Sequence, residues 1–192
     1  MDGVPIRFTF HERMLGPVAP GAQTPQEGAV LGRARGVTFV ADLNVGIPDL
    51  SAFFADPRHA AELGGAVTCP GLASRQPVES GRLEMYVADP GRKAKLMRYT
   101  FRFCGDDGKP YCFEGIKILH TPLPSLRSQV TLLSSIRCDR PDGPLWGAGI
   151  LVFRLRDLPK FLASMRAEGL PRLQALWRFS RFAQRELLHA PS

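Results

Sequence analysis

The sequence predicts a mainly β domain, and three observations carry that prediction. Short runs in which apolar and polar residues alternate recur along the first four-fifths of the chain, the period of a strand with one buried face. The 192 residues include 19 Gly and 17 Pro, the punctuation that many short strands joined by many turns require. After Arg154 the apolar spacing changes from two to about 3.6, which predicts a helical ending. A chain of this length can bury a core without disulfide or metal support, so one domain over 1–192 is expected.

The first strand is expected over residues 6–14, with Ile6, Phe8, Phe10 and Met14 on one face and Arg7, Thr9, His11 and Arg13 on the other. Residues 16–36 hold five Gly and three Pro with little periodicity and are expected to form a long loop, a lid or a crossing segment. Alternation resumes over 37–45 through Val37, Phe39, Ala41, Leu43 and Val45. Pro48 and Asp49 predict a short helix through Phe54, and Asp56-Pro57 predicts a second one ending at Gly64-Gly65, a helical insertion over 48–64 that plugs one end. Further strands are expected at 66–70, 81–88, 95–104, 111–120, 129–138 and 145–155.

One hairpin can be registered from its turn. Asp106-Asp107-Gly108 suits a three-residue loop with Gly in the left-handed position, which sets Phe103 against Tyr111, Phe101 against Phe113, Tyr99 against Gly115 and Met97 against Lys117. Arg98, Arg102 and Glu114 then share the outer face, and Lys117 points inward; a two-residue loop would send it outward. In the C-terminal part, residues 156–192, Leu158, Phe161, Leu162 and Met165 form one helical stripe before Gly169-Leu170-Pro171, and a second helix over 171–189 carries Leu173, Leu176, Trp177, Ala183, Leu187 and Leu188. Arg178, Arg181 and Arg185 stack on another side of it, either as a solvated face or as a docking surface for an acidic partner or anionic lipid headgroups.

Charge and motifs narrow the function. Of the net +7, five charges fall within 154–192, which leaves the barrel body near neutral and argues against a nucleic-acid groove across it. Met1 to Phe10 show no export signal, and no run of about 18 apolar residues occurs, so a cytoplasmic location is expected. Cys69, Cys104, Cys112 and Cys138 lack C-x-x-C spacing and are expected to be reduced and structural. His11, His59, His120 and His189 form no metal motif, and Ser134-Ser135 lie in a strand with no evident base, so neither a metal nor another cofactor is expected. Gly143, Gly147 and Gly149 miss the phosphate-binding spacing and fit close packing in a strand instead.

Two charges break the pattern. Glu12 shares its face with Phe8, Phe10 and Met14, and Lys117 shares its face with Tyr111 and Phe113. A charge on a buried face is costly unless it is paired or wet. Either the two lie at strand ends or form a buried bridge, or they orient a ligand or transfer protons inside an apolar pocket.

The stretches FTFHERMLG at 8–16, DPRHAAELGGAVTCPGL at 56–72, MRYTFRFCGDDGKPYCFEGIK at 97–117 and LPKFLASMRAEG at 158–169 resemble the domain appended to bacterial cholesterol oxidase-like GMC oxidoreductases and some related lipid-active proteins. The resemblance covers most of the chain and rests on glycine, aromatic and acidic positions. It implies a setting near the oxidation of sterols, lipids or similar metabolites. No flavin-binding region is present here, so the implied role is accessory.

The expected architecture is therefore an antiparallel barrel of about eight strands, lipocalin-like or allene-oxide-cyclase-like, with short plug helices and two C-terminal helices. Barrels of that size hold one small ligand. The leading expectation is a hydrophobic small molecule or lipid in the interior, contacted by Phe10, Glu12, Tyr99, Phe101, Tyr111, Phe113 and Lys117. The alternatives are a cofactor-independent isomerase or cyclase using Glu12 and Lys117 as catalytic groups, and a packed scaffold that docks to an oxidoreductase through its basic tail.

Overall fold

A computed structural model of the chain describes residues 5–120 and 124–188. Eight strands follow one another around a closed antiparallel ring: β1 (Arg7–Pro20), β2 (Thr38–Ile47), β3 (Ala60–Cys69), β4 (Ala73–Asp89), β5 (Ala94–Cys104), β6 (Pro110–His120), β7 (Thr131–Cys138) and β8 (Leu145–Phe153). Each pairs with its neighbour in sequence, and β8 returns to β1 to close the barrel. Closure removes the free edges that an open sheet would expose.

The alternation read from the sequence is the inside-outside alternation of the barrel. Along β2, Phe39, Ala41, Leu43, Val45 and Ile47 are buried. The β5–β6 hairpin has the register its turn demands: Phe103 pairs with Tyr111, Phe101 with Phe113, Tyr99 with Gly115 and Met97 with Lys117. Gly108 sits at φ 75° and its N–H donates to the Gly105 carbonyl at 3.0 Å, a tight turn closed by a left-handed glycine. On the outer face Arg98 lies 3.7 Å from Glu114.

Two expectations are corrected. Residues 16–36 are no long loop: β1 continues to Pro20, and Pro25–Arg35 form helix α1. Thr24 caps it by accepting the Glu27 N–H, Glu27 accepts the Gln23 N–H in return, and Gly36 ends it in the left-handed conformation. The glycines that hid the helical period are its contact surface. A Cβ on Gly28 would stand 1.8 Å from the Ala148 carbonyl oxygen, and one on Gly32 would stand 2.4 Å from that of Val18, so only glycine lets α1 lie directly on β1 and β8.

The second correction concerns 57–64. Helix α2 (Leu50–Ala55) forms as expected, with Asp49 capping the Ser51 N–H. Asp56 then stops it, accepting the N–H groups of Arg58 and Ala60 in a turn, and His59 takes a positive φ of 45° before β3 begins. Gly64 and Gly65 mark a bulge within β3; at Gly65, φ is 118° and a Cβ would meet the Asp42 carbonyl oxygen at 2.1 Å.

The ends of the barrel differ. At one end Phe39, Phe101, Phe103, Tyr111 and Phe113 fill the interior, with Phe101 and Phe113 stacked at 4.4 Å. Over the other end lie α2, α3 (Leu126–Val130), α4 (Leu158–Ser164) and α5 (Arg172–Leu188). Between α4 and α5 a short unforeseen strand, β9 (Arg166–Glu168), pairs with Arg7–Thr9 of β1. Beyond β9 the β1 ladder has a gap, where the Ser164 hydroxyl accepts the His11 N–H at 2.9 Å. The expected final residue of the last helix, His189, lies outside the described residues.

Candidate functional site

The helical end of the barrel keeps a cavity of about 400 Å³. Its walls come from the strand ends through Phe10, Leu83, Met85, Met97 and Leu119, from the helices through Leu158, Phe161, Leu162, Phe179 and Ala183, and from Met165 just past the end of α4. The stripe read from 158–165 is thus one wall of it. Four lining leucines, Leu126, Leu155, Leu158 and Leu162, remain 41–58% exposed and form an apolar rim.

On this apolar wall lies one charge network. Glu12 and Lys117 are 6% and 4% exposed, both line the cavity, and Lys117 Nζ donates to Glu12 Oε1 at 2.9 Å. Tyr99, fully buried, donates its hydroxyl to Glu12 Oε2 at 2.9 Å, and its ring lies 5.2 Å from the Lys117 ammonium. Burial first, and then the Glu12 charge, pushes the Tyr99 phenol well above its ordinary range, so it stays a neutral donor. Glu12 is therefore held by one charged and one neutral donor, the arrangement a carboxylate needs away from water.

Tyr86 adds a lining group that strand parity does not foresee. The β4–β5 ladder slips between Glu84 and Val87, and Tyr86 sits at φ 57° in that bulge, which turns its ring into the wall. Burial, followed by the charges of Glu186 and Glu12, raises its phenol to about 12. Close by, Lys95 donates to Glu186 Oε2 at 2.6 Å and ties β5 to α5. Burial opposes ionisation of Glu186, but the Lys95 hydrogen bond and the charges of Lys95, His59 and Arg185 outweigh it and hold the carboxyl below its ordinary value of 4.5.

Of the residues singled out from the sequence, the structure brings Phe10, Glu12, Tyr99 and Lys117 together around the cavity. Phe101, Tyr111 and Phe113 face the same interior but stand in the packed aromatic half, outside the cavity wall. Arg178, Arg181 and Arg185 line a separate outer groove. Among the described residues no three His, Cys, Asp or Glu side chains gather as a metal ion would need, and no helix is long and apolar enough to cross a membrane. Burial raises the Cys69 thiol to about 12, far from a reactive thiolate.

Comparisons with protein-family models, with curated proteins and with solved structures give no match. The structure shows an eight-stranded antiparallel barrel, and these comparisons assign it to no family.

Proposed function

We propose that the barrel binds a hydrophobic small molecule in the cavity at its helical end, with the ligand's polar group against Glu12 and Lys117. The observation that supports it most is a roughly 400 Å³ apolar cavity with a leucine rim and a single buried ion pair in its wall. Drug-sized ligands occupy spaces of this size and character. A barrel packed throughout would have favoured a scaffold role.

Charge balance narrows the ligand. Glu12 and Lys117 sum to zero, so an anionic head would meet Glu12 unpaired, whereas a neutral hydroxyl or carbonyl adds no charge. Lys117 Nζ has three protons, of which one goes to Glu12 among the described residues, leaving donors for such an oxygen. A sterol, fatty alcohol or ketone fits better than a fatty acid. Both Glu12 oxygens are already bonded, so proton abstraction by Glu12 would first break the network; this favours binding over isomerisation. The resemblance to the GMC-appended domain suggests a setting for this role, beside oxidation of sterols or similar metabolites.

Fluorescence-displacement titration with an alcohol, a ketone and a carboxylic acid of one chain length tests the reading. The neutral pair should bind at least about 10-fold more tightly than the acid at neutral pH, a difference of about 1.4 kcal/mol. Absence of binding by all three would remove the ligand reading, and preference for the acid would overturn the neutral class.

A further inference from the structure

Helix α5 divides its residues by direction. Ala175 and Phe182 are buried against the body, while Phe179, Ala183 and Leu187 line the cavity. Away from both, Leu173, Trp177 and Leu188 stand 81%, 58% and 57% exposed, spaced to fall near one line along the helix. Beside that line Arg178, Arg181 and Arg185 are exposed and share a groove with Leu50, Ser51 and Phe54. The Arg181 guanidinium lies 4.7 Å from the centroid of the Trp177 ring. The one carboxylate on α5, Glu186, is mostly buried; it accepts from Lys95 and meets Arg185 at 3.4 Å. The outward face therefore presents cations and large apolar groups without an exposed anion.

We propose that this face of α5 docks on the surface of an anionic phospholipid bilayer. An acidic peptide would match the arginines but leave Leu173 and Leu188 uncovered. A bilayer surface matches both: lipid phosphates accept from the guanidinium forks, and the indole and leucines enter the boundary between headgroups and acyl chains. The 17 residues of α5 would lie along that surface, with no crossing. The inference goes beyond the ligand reading and is tested without any cavity ligand.

The test is co-sedimentation with phosphatidylcholine vesicles with and without phosphatidylserine, combined with tryptophan emission. Trp146→Phe leaves Trp177 as the sole reporter, since the chain has two tryptophans. Binding to the anionic vesicles, a blue-shifted Trp177 emission and weakening by salt are expected. Arg178→Gln/Arg181→Gln/Arg185→Gln should bind at least about 10-fold more weakly while its circular dichroism is unchanged. Leu173→Ser/Trp177→Ser, which leaves every charge in place, should weaken binding as well. No binding to anionic vesicles, or undiminished binding by either variant, overturns the proposal. Capture of polyglutamate by a protein that ignores the vesicles would overturn it too, by assigning the face to an acidic protein.

Discussion

Glu12 and Lys117 hold each other in place where neither could stand alone. Lys117→Met leaves a buried carboxylate with only the Tyr99 hydroxyl, and should destabilise the protein by about 3–5 kcal/mol in urea unfolding. Adding Glu12→Gln keeps a neutral partner for Tyr99 and should recover most of that loss. A double variant as unstable as Lys117→Met would show that the two are not coupled. The direction of both side chains was legible in the sequence: alternation placed Glu12 among Phe8, Phe10 and Met14, and the Gly108 turn placed Lys117 inside. Depth along the barrel was not legible. Phe101 and Phe113 share the parity of Tyr99 yet pack against each other at 4.4 Å, because the cavity is bounded by helical residues that strand parity cannot position. Tyr86 was hidden for a related reason, since a bulge shifts parity without a glycine to mark it.

Helices α1 and α5 are fixed to the barrel by different means. For α1 the contact is backbone on backbone, so Gly28→Ala, which would raise helix propensity by about 1 kcal/mol on an exposed helix, should instead destabilise by on the order of 2 kcal/mol. A stabilised variant in urea unfolding would contradict the clash with the Ala148 carbonyl. Glycine content read as a loop signal over 16–36 was a packing signal, and the capping pair Thr24 and Glu27 was the local evidence for a helix. Likewise Asp56-Pro57 followed by Gly64-Gly65 carried helix start and stop residues, but their roles went to a turn and a bulge. For α5 the tie to the body is side-chain packing of Phe179 and Phe182 against Phe8, Phe53 and Phe54, with one ion pair added at Glu186. Its carboxyl is depressed in the folded state, so its contribution is complete well above pH 4.5 and is lost as pH falls below that value through the folded pKa. The stability advantage of wild type over Glu186→Gln should therefore shrink on acidification. A difference independent of pH between neutrality and acid would show that the Lys95 contact does not hold α5.

At the scale of the whole molecule, the barrel separates a closed aromatic end from an end that stays partly hollow. Strand number, antiparallel order and the helical ending could be read from periodicity and turns, whereas a cavity is a residue of imperfect filling and emerges only when all walls are placed. Its ligand role is the central claim. The most direct measurement is native mass spectrometry after incubation with a neutral-lipid extract, comparing wild type with Ala183→Trp, which puts bulk into the cavity from α5 and leaves Glu12, Tyr99 and Lys117 unsubstituted. Wild type should retain a neutral apolar adduct, and the filled variant, with unchanged circular dichroism, should not. Wild-type protein without an adduct, or an equal adduct on both proteins, would contradict the claim.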